Sequence, residues 1–275
     1  MRGPVHDGLW DVARPARPSR TAGVAMAGFR DRGLGTSGQR AIPHPAVTLV
    51  VEFGAGPLVV ENAAGLQRGS LVAGLGLGSS RFSVRGEHFE VVQVRLSPLV
   101  AHAVLGSGGE VVPLEDVWGV GEVSRIRERL ADATSWDDRF TLMDALLARR
   151  IEASRPVDAE VAWAWNRIVR GRGRVRVESL ADEVGWSRKR LWARFVRQVG
   201  LPPKRAAKLV RFDQAVHRLV AGTSPARVAA EGGYADQSHL HRDVMAFTGL
   251  TPATVAAEPF LTVDDLAWPT QRPCS

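Results

Sequence analysis

The sequence is poor in thiols, in lysine and in long apolar runs, and each shortage removes a class of protein. Its one cysteine, Cys274, lies in a polar, proline-containing tail, so neither an intrachain disulfide nor a thiolate metal cluster can form. A reducing compartment fits. No apolar stretch approaches the roughly 20 residues that cross a bilayer, and the opening MRGPVHDGLWDVARPARPSR lacks the apolar core of a signal peptide. A cytoplasmic chain without a membrane partner is expected. Lysine supplies only three of the 36 basic side chains; a GC-rich genome explains that ratio as well as arginine chemistry does, and it carries little weight. Catalytic signatures are missing too. The glycine-rich residues 66–80 lack the Lys-Ser/Thr ending of a phosphate loop, GxSxG is absent, and the pair Asp137 and Asp138 sits at a helix start, where the dipole favours negative charge. The first 150 residues hold no HxH pair. His88 with Glu90 offers two ligands where a metal needs three or four, so His44, His88 and His102 read as surface or pocket histidines. No catalytic residue, metal or cofactor is expected.

What is present is a two-domain length, 275 residues with 45% apolar side chains, and an uneven charge. Residues 157–256 carry 17 basic and 9 acidic side chains, net +8, whereas residues 1–156 carry 18 and 17, net +1. A positive field concentrated on one segment suits a phosphate-binding surface.

The N-terminal part reads as a small antiparallel sheet followed by helices. Residues 1–40 are rich in Arg, Pro and Gly, with Trp10, Val12, Val24, Met26 and Phe29 as anchors that lay the segment along a sheet edge. Val47, Leu49 and Val51 alternate with Thr48, Val50 and Glu52, and the turn Gly54-Ala55-Gly56-Pro57 before Leu58-Val59-Val60 predicts a hairpin. Residues 81–96 give two strands broken at Gly86-Glu87. Two helices follow, the second capped by Ser135 with Asp138. Trp118, Trp136, Trp163 and Trp165 are expected in cores.

The C-terminal part contains one plan twice. In residues 177–200, Leu180, Ala181 and Val184 stripe a first helix, Gly185 ends it, Ser187 caps a second, and Leu191, Phe195 and Val199 form its seam. Outward lie Lys189, Arg190, Ala193 and Arg197, flanked by Arg188 and Trp192. In the second copy Gly232-Gly233 make the turn, Asp236 caps, and Leu240, Val244 and Phe247 repeat at helical spacing, leaving Gln237, Ser238, His239, His241 and Arg242 to face outward. Between the copies runs a helix from Pro202-Pro203 to Gly222, a rigid spacer of about 27 Å at 1.5 Å per residue. Two helix-turn-helix units on one spacer can enter successive major-groove segments.

Residues 157–256 resemble the DNA-binding domain of the AraC/XylS family of bacterial transcriptional regulators. The resemblance rests on Leu180-Ala181, Gly185, Ser187, Leu191, Phe195, Gly200, Pro203 and Arg211, then on Val228-Ala229, Gly233-Tyr234, Asp236, Ser238, Arg242, Gly249 and Thr251-Pro252. Leu240 and Val244 replace phenylalanines common in the family. The resemblance implies sequence-specific reading of double-stranded promoter DNA, with base contacts from positions matching Lys189, Trp192 and Ala193 and from Gln237, Ser238, His239, His241 and Arg242, with RNA polymerase as a partner and a location at the nucleoid. The N-terminal part is similar to the reduced cupin-like domains of such regulators through Trp10, Ala13-Arg14-Pro15, Pro43, Phe53-Gly54 and Leu96-Ser97-Pro98. That implies a small-molecule effector or a homodimer. The expected organisation is a cupin-like α+β domain over 1–150, a linker over 151–156 ending near Arg155-Pro156, an all-α double helix-turn-helix domain over 157–256 and a polar tail over 257–275. Two alternatives stay open: a cupin-like metalloenzyme with a DNA-binding tether, and a structural protein that holds nucleic acid without reading it.

Overall fold

A computed structural model describes residues 5–6, 10–31, 39–62, 65–75, 83–106, 111–154 and 156–268. Its strands are β1 (Val5–His6), β2 (Trp10–Ala13), β3 (Val24–Asp31), β4 (Gln39–Arg40), β5 (Val47–Glu52), β6 (Val59–Asn62), β7 (Gly65–Arg68), β8 (Leu71–Ala73), β9 (Ser83–Arg85), β10 (Glu90–Leu96) and, after helix α1 (Pro98–Leu105), β11 (Val111–Pro113). They build two antiparallel sheets, ordered β1-β2-β3-β10-β5-β8-β11 and β4-β9-β6-β7. Helices α2 (Leu114–Trp118), α3 (Val120–Asp132) and α4 (Trp136–Glu152) follow; α5 (Ala159–Arg170), α6 (Val177–Glu183), α7 (Arg188–Val199), α8 (Pro203–Val220), α9 (Pro225–Gly232), α10 (Gln237–Thr248) and α11 (Pro252–Ala256) form an all-α domain, and α12 (Pro259–Ala267) ends the described chain. The fold class is thus α+β followed by all-α.

The period-two pattern decides which face of the larger sheet meets what. Val24 and Met26 of β3, Val47, Leu49 and Val51 of β5, and Val92, Val94 and Leu96 of β10 point into a core shared with the helices. Gly28 lies on that face because a Cβ there would stand 2.2 Å from the Trp136 ring. Ala27, Phe29, Val50 and Val91 point the other way, into a second core that includes Val60 of the smaller sheet and Val263, Ala267 and Trp268 from the C-terminal end.

Three expectations change. The hairpin over residues 47–60 does not form: β5 pairs with β10 and β8, while β6 pairs with β7 and β9 in the other sheet. The Gly54–Pro57 turn hands the chain between sheets because its amides are held elsewhere, Phe53 N–H by the Glu90 carbonyl (2.9 Å) and Gly56 N–H by the His88 carbonyl (3.2 Å). Residues 24–31, expected along a sheet edge, form an interior strand between β2 and β10. The polar tail is the third correction. Residues 259–267 are a helix whose Leu261 and Val263 are buried together with Ala267 and Trp268. Asp264, which made the segment look polar, is itself buried. Residues 269–275 with Cys274, along with Arg155 and residues 76–80 of the glycine-rich stretch, lie outside the described residues.

Asp264 joins three parts of the chain. Both of its oxygens accept from the guanidinium of Arg95 on β10, the Oδ2 bond being 3.3 Å, and its Oδ2 is 3.5 Å from Nε2 of His217 on α8. Trp268 stacks on the same guanidinium at 4.5 Å. Burial alone would raise the Asp264 carboxyl, but Arg95 and His217 hold it far below the carboxylate range. Burial likewise opposes charge on His217, and the hydrogen bond to Asp264 with the charge of Asp213 outweighs it, raising the imidazole to about 9. Two further contacts cross between the domains: α1 lies against α7, and Arg40 Nη1 donates to the Thr248 carbonyl at the end of α10 (2.8 Å).

Removing one partner of a buried ion pair strands the other, so Asp264→Asn is expected to lower stability by about 3–5 kcal/mol in denaturant titrations. The His217 contribution is fully present below its ordinary value of 6.5 and disappears as pH rises through about 9. Melting temperature should therefore fall between pH 6.5 and 9 in the wild type, and His217→Gln should flatten that slope.

Candidate nucleic-acid interface

Each reading helix is made the same way. Gly185 (φ +68°) ends the helical turn after α6, and Gly233 (φ +77°) follows α9; both adopt left-handed backbone that favours glycine. The Ser187 hydroxyl accepts from Arg190 N–H (3.2 Å) to cap α7, and Asp236 Oδ1 accepts from His239 N–H (2.7 Å) to cap α10. Both helices run 12 residues and stop at left-handed glycines, Gly200 and Gly249. Counted from their caps they are in register: Leu191 matches Leu240, and Phe195 matches Val244. All four are buried.

On the outer face of α7, Arg188, Lys189, Arg190, Trp192, Ala193 and Arg197 are exposed, Trp192 at 46%. On α10, Gln237, Ser238, His241 and Arg242 are exposed. Among the described residues, Arg188, Lys189, Arg197 and Arg242 form no ion pair with a carboxylate. They present positive charge to solvent.

His239 departs from expectation. Its ring turns back from the outer face: Nδ1 accepts from Ala235 N–H (3.3 Å), Nε2 lies 3.5 Å from Arg211 Nη2, and the ring meets Tyr234 edge-on at 5.3 Å. The reason is positional. His239 is the third residue of α10, one turn above the aromatic that follows the turn glycine; at the third position of α7, Arg190 stacks at 4.2 Å on Trp186 but stays exposed. Trp163, expected in the core, is 38% exposed on α5.

Two charged residues absent from the expected interface pair with neighbouring elements at matching places, Asp243 buried and Arg194 still 38% exposed at its side chain. Arg194, seventh in α7, donates through Nε and Nη2 to both oxygens of Asp158 ahead of α5 (2.5 and 2.7 Å). Asp243, seventh in α10, is 3% exposed and accepts from Lys208 Nζ (3.0 Å) and Arg211 Nη2 (2.8 Å), both on α8. Burial works against the Asp243 charge, but those two donors keep its carboxyl below the usual range. The Arg211 guanidinium also stacks on Tyr234 at 4.5 Å. Sequence reasoning missed both; the signal was a charge at the seventh position of two otherwise matching helices.

His44, His88 and His102 form no common site. His44 bonds Ala46 and Thr48, and burial with the nearby Arg95 charge lowers it to about 3, keeping it neutral. The backbone N–H of His88 donates to Asp31 (2.7 Å), and His102 lies on α1. Among the described residues no group of three or more His, Cys, Asp or Glu side chains is placed to hold a metal, and no helix is long and apolar enough to cross a membrane.

The helix-turn-helix domain family matches residues 180–258. A curated relative, the uncharacterized HTH-type transcriptional regulator YbfI of Bacillus subtilis (strain 168), is 33% identical over 66 residues, 24% of this chain and 24% of its own length. The match thus spans about a quarter of that relative. Among solved structures, ToxT from Vibrio cholerae O395 is 10% identical over 86% of this chain and 98% of that one, with a TM-score of 0.47. The xylose-binding transcription activator xylR is 18% identical over 44% of this chain and 39% of that one, with a TM-score of 0.33. With both turn glycines, both caps and both seams in register across the matched residues, the C-terminal part of this chain is a double helix-turn-helix domain of the AraC type.

Proposed function

We propose that the whole protein is a sequence-specific transcriptional regulator that reads double-stranded promoter DNA with α7 and α10. The observation that carries this is the pair of matching helices whose outer faces hold unpaired cations beside hydrogen-bonding side chains. Arg188 and Arg197 supply phosphate contacts, and Lys189, Trp192, Gln237, Ser238, His241 and Arg242 face base edges. Ala193 suits a thymine methyl. Arg190 stays with the backbone-contacting group, and His239 leaves the base-reading set for a role in shaping the turn.

The N-terminal sheets, within residues 1–150, are the sensing half of the same reading. A cavity of about 90 Å³ opens between them. Phe29, Leu58 and Phe89 make its apolar wall, and His44, Thr48 and Gln93 its polar points. That lining suits a mainly apolar effector with a single hydrogen-bonding end. A homodimer, contact with RNA polymerase and a place at the cytoplasmic nucleoid complete the proposal.

Purified protein is expected to bind DNA from upstream of its own gene far more tightly than random DNA of equal length, with a ratio that persists as salt rises. Equal affinities with equal salt slopes would reduce the domain to a basic scaffold. Within that assay His241→Ala should relax base preference by about 1–3 kcal/mol at one position, while His239→Ala leaves preference unchanged at every position. For the cavity, an effector at 100 times its Kd should stabilise the protein by about 2.7 kcal/mol in thermal melts. Val91→Phe, which fills the cavity, should abolish that shift.

A further inference from the structure

We propose that Arg194 and Asp243 are positioning residues: each fixes the rotation of one reading helix about its own axis, and each governs one half of the DNA site. The proposal rests on α7 and α10 being the readers. It goes beyond that reading by assigning the geometry of each reader to a single charged residue paired with a neighbouring element.

The argument starts from what an apolar seam leaves undetermined. Leu240, Val244 and Phe247 hold α10 down, but burial is non-directional and tolerates small rotations. A side-chain tip about 5–6 Å from the helix axis moves about 2 Å in a 20° rotation, enough to break a hydrogen bond to a base edge. Charge-assisted bonds with two partners are directional. Asp243 has that arrangement, one oxygen bound by Lys208 and the other by Arg211, so α10 is referenced to α8. Its neighbour in sequence is Arg242, on the outer face. Arg194 has the mirror arrangement, one guanidinium gripping both oxygens of Asp158, and its neighbour Ala193 is likewise outside. That reader is referenced to α5.

The two clamps occupy the same position in their helices, have opposite charge and hold different neighbours. Opposite charge prevents either clamp from substituting for the other. Their partners sit on different elements, Asp158 ahead of α5 and Lys208 with Arg211 on α8. Loosening one should blur one half-site and leave the other sharp, a pattern that general destabilisation does not produce.

The test uses the full chain and an operator selected by the wild type from a random DNA pool. Lys189→Ala and Arg242→Ala first assign the two protected segments to α7 and α10. Asp243→Asn is then expected to lose protection over the α10 segment, with specific affinity down about tenfold or more, the size of one lost base discrimination, and to keep the α7 segment. Arg194→Gln should do the reverse. Asp243→Glu, which keeps the charge and both acceptor oxygens, should restore most of the protection over the α10 segment, whereas Arg194→Lys, which keeps the charge but loses the fork on Asp158, should restore only part of it over the α7 segment. Lys208→Gln removes only one donor at a partly exposed site and should give a smaller loss confined to the α10 segment, which keeps the test decisive if Asp243→Asn folds poorly. Loss of both segments together in Lys208→Gln or Arg194→Gln, or wild-type protection in all variants, overturns the proposal while the DNA reading stands. Failure of the wild type to select any sequence overturns that reading, and this proposal with it.

Discussion

The buried pair between Arg95 and Asp264 is the constraint on which the arrangement of the two domains depends. Arg95 sits on β10, paired on both sides within the larger sheet, and Asp264 comes from the helix that follows the DNA-binding domain. Neither charge is stable in that environment alone, since desolvation of each costs several kcal/mol. Together with His217 and the stacked Trp268 they form one buried cluster that joins β10, α8 and α12. The consequence is geometric. The spacer helix α8 carries His217 on one side and, by way of Lys208 and Arg211, the clamp on α10, so its position against the sheet and its grip on the reader belong to one rigid element.

Much of this was legible in the sequence because it is local. The period-two placing of Val47, Leu49 and Val51 told which side chains meet the helices, and the glycine, cap and seam spacing of the two readers gave their bounds and register. What escaped was non-local. The turn at Gly54–Pro57 has hairpin chemistry, and nothing nearby reveals that its amides bond to Glu90 and His88. The segment after residue 256 looked polar because Asp264 and Asp265 dominate its character, and the partner that permits burial of Asp264 stands 169 residues earlier. At the interface the outer face of α7 followed from helical periodicity, but His239 did not. Periodicity gives a direction for Cβ and says nothing about a ring that rotates back to find Ala235 and Tyr234.

The same distinction governs the charges. A net +8 over residues 157–256 suggests a uniformly basic domain, yet its cations divide into two groups. Arg194, Lys208, Arg211, Arg218 and Arg227 are engaged by Asp158, Asp243 and Glu231 within the fold. Counterion release depends on phosphates newly neutralised, so the engaged group contributes little to the salt dependence of binding. Its work is to hold helices. The outward group on α7 and α10 is left to meet DNA, and only the structure separates the two, because arginine at an inner and an outer position is the same letter.

A link between cavity and reader follows from chain connectivity. Arg40 grips the last carbonyl of α10, and the residues that follow it, Ala41 to His44, line the cavity between the sheets. One short segment therefore touches both sites. Linkage limits what an effector can do through it: a ligand shifts the pose of α10 only by as much as its affinity differs between two arrangements of that segment. A ligand that packs against Phe29 and Phe89 alone would stabilise the domain without biasing the reader. One that also takes the Thr48 hydroxyl from His44, now held at 3.1 Å, would change the segment itself.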